Sequence, residues 1–436
     1  MPLSRLPTEI VSHITSYLPR FCIISASLVC RAWRLVLLRT LYHSVKLVED
    51  RHAVHFANTI TSDGVAGLSH YIPQLITSLG IGSEWSMYIT GLGLAHLESC
   101  IMHLIQLRRF HCHIILSASE NLELFRLVQT QCLQLESVGL HFVGADVSKI
   151  ESSQLTTLFG FRNLVNYSLR MRYILWDIDS GTLAPLKALV INCPNLESLT
   201  LDFSFSFDDS GPKTTYNLDL LPDLFAQDLI MPDLHTLHLC GDVEMDIGSI
   251  LSSPTTGSYL FRDFLSRHPQ IRDLKLGWLH INGSYKNHDM HPDNLGLALP
   301  SLRRCSAPVF ICAHLVCSAV ATQLEHLEVR GRTAASEFAF EALPMPMLRV
   351  LLIKIDYDVL KVMRLIMPVA NRLEHLCLTG IRRRHHTEFL ELLTHTPNLQ
   401  TVSMDYLEAY SCQQLVGKIK TMYPKLKIVG SPGREY

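Results

Sequence analysis

Residues 193–201 read Cys193-Pro194-Asn195-Leu196-Glu197-Ser198-Leu199-Thr200-Leu201, and this stretch decides the fold. Leu196 is an apolar anchor, followed three and five positions later by Leu199 and Leu201. The same spacing recurs from anchors at Ile76, Leu107, Leu135, Leu164, Leu234, Ile271, Leu302, Leu324, Leu348, Leu373, Leu399 and Leu426. Among all these triads only Ser431 is not apolar, whereas the two residues after each anchor are polar except at Val165, Val350 and Ile428. Pro194, Pro232, Pro269, Pro300, Pro346, Pro397 and Pro424 sit two residues before their anchors. Proline there ends a preceding helix and starts an extended segment. The unit is therefore a helix, a proline and a short strand. In that strand the third and fifth residues after the anchor share one face, because side chains alternate. One strand and one helix cannot bury that face alone, so neighbouring units must stack.

The anchors lie about 29 residues apart on average, inside the period of leucine-rich repeats. The chain resembles that family, irregularly. The resemblance implies an α/β solenoid, a horseshoe with a parallel concave sheet and helices on the convex side. Leu122–Leu133, Phe261–Arg267 and Val359–Asn371 are the clearest helical segments. The consensus Asn after the strand is missing: Ile115, Val143, Arg172, Ser204 and Asp242 hold the equivalent places. The link after each strand should therefore be less regular than in the family. Longer spacings predict insertions near Asp202–Ile230 and Gly241–Leu260. The first contains Phe203-Ser204-Phe205-Ser206-Phe207, which could extend its strand or pack on the solenoid edge.

Working outward, the whole chain has 436 residues, 48% apolar and 18% charged, so a large core is available and pervasive disorder is excluded. Lys plus Arg number 38 against 40 Asp plus Glu, which gives no bulk electrostatic drive toward nucleic acid or an anionic membrane. The 12 cysteines are scattered without C-x-x-C pairs, which fits reduced thiols in the cytoplasm or nucleus better than a disulfide framework. Arg5, Glu9 and His13 interrupt any signal-peptide core. Ala307–Ala321 is too short to span a membrane and reads as a buried helix.

The first forty-odd residues break the repeat. Leu6, Ile10, Ile14 and Leu18 recur every four residues, as one helical stripe. Pro7 suits a first helical turn, and Pro19 ends that helix. A second run from about Phe21 to Leu38 places Ile24, Leu28 and Trp33 near one face, with Val29 beside them. Fewer than fifty residues cannot bury all of these, so they must pack on something.

The leading Leu6-Pro7, the Ile10/Ile14/Leu18 spacing and the block Leu28-Val29-Cys30-Arg31-Ala32-Trp33-Arg34 resemble an F-box. Tyr42, Val45 and Leu47 then enter the repeat register. The domains implied are an F-box over 1–41 and a repeat solenoid over 42–436. By that resemblance Leu6, Pro7, Ile10, Ile14, Leu18, Leu28, Val29 and Trp33 would dock on the Skp adaptor of a cullin–RING (SCF) ubiquitin ligase. The repeats would hold an unknown protein substrate. The alternative is a scaffold without ligase activity, whose N-terminal helices only cap the first repeat.

The sequence offers no enzyme: no G-x-S-x-G, P-loop, H-E-x-x-H or G-x-G-x-x-G is present. No cofactor or metal is expected. His111-Cys112-His113 cannot converge on an ion, since Cys112 faces the core while the two histidines share the other face. Cys305, Cys312 and Cys317 read as packed thiols on a buried helix. Positions two, four and six after each anchor project from the sheet. In the later repeats they include Arg304, His326, Arg330, Lys354 and His375, alongside Glu328. This basic-leaning stretch is the candidate substrate surface for an acidic or phosphorylated segment; a solvated face with scattered charges is the alternative.

Overall fold

A computed structural model of the chain describes residues 7–61, 71–82, 89–115, 122–143, 156–174, 180–205, 216–217, 230–244, 260–280, 291–331, 341–355, 359–379, 381–404 and 409–429. Three helices open it: α1 (Thr8–Ser16), α2 (Arg20–Ser27) and α3 (Arg31–Tyr42). The strands follow. They are β1 (Ser44–Leu47), β2 (Ser78–Ile81), β3 (Arg109–Ile115), β4 (Ser137–Val143) and β5 (Asn166–Ile174), then β6 (Ser198–Phe205), β7 (Tyr216–Asn217), β8 (Thr236–Glu244), β9 (Asp273–His280) and β10 (Arg304–Pro308). The last five are β11 (His326–Gly331), β12 (Val350–Ile355), β13 (His375–Leu378), β14 (Thr401–Met404) and β15 (Lys427–Val429).

Packing divides the chain into two units, with the boundary running through β6. In the first, β1 to β5 pair consecutively and in parallel. In the second, β8 to β15 do the same, and β7 adds to β8.

The repeat register is visible in the hydrogen bonds. In most repeats the carbonyl of the residue after the anchor accepts two backbone N–H groups from the next repeat. Arg108 takes Glu136 and Ser137, Arg303 takes Glu325 and His326, Glu325 takes Arg349 and Val350, and Arg349 takes Glu374 and His375. His43 accepts from Thr77 and Ser78 in the same way, which makes Tyr42 the first anchor. The apolar triads are buried as their spacing requires, for example Leu348, Leu351 and Ile353, or Leu324, Leu327 and Val329. Tyr42, Val45, Leu399 and Val429 are half-buried instead, and in β15 the residue that pairs with inward Val402 and is buried is Ile428, one position before the expected one.

The prolines have a sharper role than ending helices. In the repeats that carry the proline the anchor N–H bonds the carbonyl three residues back, as Leu196 does to Cys193 and Leu302 to Leu299. The proline therefore occupies the second position of a tight turn, where its fixed φ is an advantage. Ile105 and Leu133 hold the same corner in two repeats without proline, and both are exposed there.

Helices cover the buried face. In the first unit α4 (Asp50–Thr61), α5 (Ile72–Leu75), α6 (Gly91–Ile101) and α7 (Glu123–Gln131) fill the links between strands. Phe125 of α7 meets Phe110 of β3 at 6.2 Å and Phe142 of β4 at 5.9 Å, both edge-on. In the second unit Leu260–Arg267 is a helix as expected, while the helix expected to reach Asn371 ends at Ile366 and passes into a 3-10 turn over Met367–Val369. Val309–Leu315 is a fully buried helix, though Ala307 belongs to β10. Of the three cysteines read onto that helix only Cys312 lies on it; Cys305 is in β10 and Cys317 is half-buried beyond the helix end.

The missing Asn has a visible consequence. Ile115, Val143, Arg172, Ser204 and Asp242 all lie inside strands, so these strands run on where the family pattern would turn. Phe203 is buried in the extended β6, while Ser206 and Phe207 fall outside the described residues.

Candidate functional site

The N-terminal helices share a small core. Val11, Ile23 and Leu37 are buried together, with Leu18, Ala26, Trp33, Val36 and Leu41 packed around them. Pro7 caps α1, and its carbonyl accepts the N–H groups of Ile10 and Val11. Thr15 is buried by donating its hydroxyl to the Ser12 carbonyl at 3.0 Å, so it brings no unpaired polar group into the core. The expected single run from Phe21 to Leu38 is two helices. Ser27 Oγ bonds the Ile24 carbonyl at 2.6 Å, and Cys30 is extended, its Sγ accepting the Trp33 N–H at 3.5 Å to start α3.

This packing corrects the expected stripe. The residues of α1 that turn inward are Val11 and Thr15, with Leu18 beyond the helix end. Ile10 and Ile14 face out, Ile10 being 46% exposed. Tyr17 continues that outer line and is 75% exposed. On α2, Phe21 and Ile24 face out, and Leu28 follows, Phe21 and Leu28 each being 70% exposed; Val29 and Leu35 are exposed too. Leu28 and Trp33 therefore do not share a face, for Trp33 packs inward. Leu6 lies outside the described residues. Pro7, Ile10, Ile14, Leu28 and Val29 of the candidate set are exposed, whereas Leu18 and Trp33 hold the helices together.

Tyr17, Phe21, Ile24 and Leu35 were not among the candidates. The signal for the first three was present, since 10, 14 and 17 and then 21, 24 and 28 each follow helical spacing. Exposed apolar side chains in such lines mark a surface that another molecule covers. Meanwhile α3 packs against β1 and α5 as well as against α1 and α2. It thus does the capping, while α1 and α2 present their apolar lines outward.

Residues 3–47 match the family model described as F-box-like. This segment is an F-box-like domain. The parallel strand–helix repeats described above follow it. No curated protein sequence matches the chain. Among solved structures, the Rad7 and Elc1 complex in yeast is similar at 14% identity and a TM-score of 0.42, over 98% of this chain and 93% of that one. A leucine-rich repeat-containing protein, LegL7 from Legionella pneumophila, is similar at 12% identity and a TM-score of 0.27, over 83% and 85%.

The second unit carries the candidate substrate residues. Arg304, His326, Val350 and His375 align across β10 to β13, and Arg330 aligns with Lys354. The structure thus splits the five candidates into two rows. His375 Nδ1 lies 2.6 Å from Thr401 Oγ1. Arg330 and Lys354 are not free cations. Glu328 Oε1 accepts from Arg330 Nη2 at 2.8 Å and from Lys354 Nζ at 2.9 Å, and its Oε2 accepts from Ser306 Oγ at 2.9 Å. Burial alone pushes the Glu328 carboxyl up, but Arg330 and Lys354 more than reverse this and hold it at about 2. In the row of Arg304, Asp273 is drawn down against its own burial by a 3.0 Å contact with His238 Nε2. Burial lowers His326, opposed by Glu328 and Asp273.

On the first unit's sheet, Cys112 is buried while His111 is exposed and His113 half-buried, the alternation expected. His113 stacks on His141 with ring centres 4.1 Å apart. No group of His, Cys, Asp or Glu suited to a metal occurs among the described residues. No described helix is long and apolar enough to cross a membrane. Burial pushes the Cys100 and Cys132 thiols up to about 12, so they are packing groups.

Proposed function

We propose that this chain is the substrate-recognition subunit of an SCF-type E3 ubiquitin ligase. Its F-box docks on a Skp adaptor through the exposed apolar lines of α1 and α2, and its repeats hold a protein substrate. The observation that carries this reading is that Ile10, Tyr17, Phe21 and Leu28 stay exposed although a core lies within reach of their own helices. The chain then needs no catalytic group, cofactor or metal. It acts in the cytoplasm or nucleus by joining substrate and ligase, and the gain is one of proximity. A helical cap alone would bury these side chains against the first repeat.

The test is co-expression with a Skp adaptor and pull-down. The native chain is compared with Leu28→Asp/Val29→Asp, whose positions are exposed, so the variant should stay folded by circular dichroism. Capture by the native chain and its loss in the variant is the expected result. Failure of the folded native chain to capture the adaptor would leave a capped repeat scaffold.

A further inference from the structure

The exposed sheet face of the second unit holds a charge pattern that neither its core nor the F-box requires. Two positive nodes stand on it. At the first, Arg304 of β10 aligns with Asp273 of β9, and Lys275 lies two residues further along β9. Asp273 is already engaged by His238, which in turn reaches the Thr200 hydroxyl at 3.5 Å. The Arg304 side chain makes no hydrogen bond or ion pair among the described residues. At the second node one carboxylate, Glu328, serves two cations, Arg330 and Lys354. Each node carries a surplus of one positive charge. The buried Nε of Arg330 has no acceptor among the described residues, so that guanidinium is only partly satisfied.

Glu328 is the key to the arrangement. Its side chain is 8% exposed, and burying a charge is poor value for stability alone. What it does is fix two cationic side chains in place beside open surface, with Lys354 38% exposed. The register separates the nodes. Arg304 aligns with His326, and Arg330 lies four residues further along β11. That is about 13 Å along the strand direction, the span of about four residues of extended chain. Val350, in the row of Arg304, and Leu352, between the two rows, are half-buried and offer apolar contact.

Such a face attracts anions, and its layout discriminates among them. A phosphate dianion would place two charges on a node with a surplus of one, close to the Glu328 carboxylate that repels it. Separate carboxylates match two separate nodes. We propose that the exposed face of β9 to β12 binds an extended, unphosphorylated Asp/Glu-rich segment of a partner protein. Its acidic side chains, about four residues apart, contact Arg304 at one node and Arg330 with Lys354 at the other. That the partner is the ligase's substrate rests on the function proposed above; the docking itself does not.

Fluorescence anisotropy with the full chain tests this, using three labelled peptides. One carries Glu pairs four residues apart in a Gly/Ser background, the second has Gln at those places, and the third has a single phosphoserine. The Glu peptide should bind, more weakly as salt rises, and the Gln peptide should not. Arg304→Gln and Lys354→Gln should each weaken binding about tenfold, the value of one charge-assisted contact. Arg304 has no hydrogen bond or ion pair to lose among the described residues, only a longer-range attraction to Asp273, so its variant should keep the native fold by circular dichroism. Equal binding of Glu and Gln peptides, or no effect of Arg304→Gln, would overturn the proposal. Tighter binding of the phosphoserine peptide would overturn the choice of carboxylates. Adaptor capture by the same preparations reads the F-box function separately and should be unchanged in both variants.

Discussion

The F-box and the repeats use apolar residues in opposite ways. In β12, Leu351 and Ile353 are wholly buried while Val350, Leu352 and Lys354 alternate outward. In α1 and α2 the inward side is small, and the larger side chains Tyr17, Phe21 and Leu28 point away from it. A repeat finds its partner surface in the next repeat of the same chain. The F-box helices find only half of theirs, and the unmatched half is the surface proposed for the adaptor.

The contrast can be broken or sharpened by substitution. The largest effect is expected from Leu351→Ala, which empties a filled core and should cost about 2–5 kcal/mol in denaturant unfolding. Adaptor affinity should not change; a parallel loss of both would join the two regions that the comparison separates. Next, Leu28→Asp/Val29→Asp should reduce adaptor affinity about a hundredfold or more, as removal of central apolar anchors does. Its unfolding midpoint should stay near that of the native chain, and a large drop would mean that these side chains are core.

Third comes pH. The Glu328 carboxyl is held at about 2 against an ordinary 4.5. A depressed carboxylate stabilises the fold above its unfolded value and loses that contribution as pH falls through the folded one. The contribution, on the order of 3 kcal/mol, should be complete above about pH 5 and fade between about pH 4.5 and 2. Unfolding followed across that window should flatten in Glu328→Gln, and an unchanged slope would refute the assignment. Fourth, Gly82 has φ of +75°, and an added Cβ would fall 1.8 Å from the His113 carbonyl oxygen. Gly82→Ala should therefore destabilise by at least about 1–2 kcal/mol in thermal unfolding. The smallest effect belongs to Arg108→Ala, which removes an exposed 3.3 Å pair with Glu136 and should cost less than about 1 kcal/mol.

The repeats were legible in the sequence because strand alternation has a period of two. Once Leu196, Leu199 and Leu201 set the register, the inward faces of the anchored strands, from β2 to β14 apart from β7, followed. The rotation of α1 was not legible. Ile10 and Ile14 on one side, and Val11, Thr15 and Leu18 on the other, both satisfy helical spacing, and only packing against α3 chooses between them. The break between α2 and α3 turns on a Ser27 back-bond and a Cys30 cap, both weak signals in a sequence. Glu328 read as one more polar residue at an outward position. Its two cationic partners come from Arg330 on its own strand and Lys354 on the next, so the node exists only after register joins β11 to β12.

Oxidative footprinting of the full chain, alone and with a Skp adaptor, tests the central claim most directly. Tyr17, Phe21 and Leu28 should be protected by the adaptor, while Leu343 and Met347, exposed in the repeats, should react as before. Protection in the repeats with Tyr17, Phe21 and Leu28 still reactive would contradict the account.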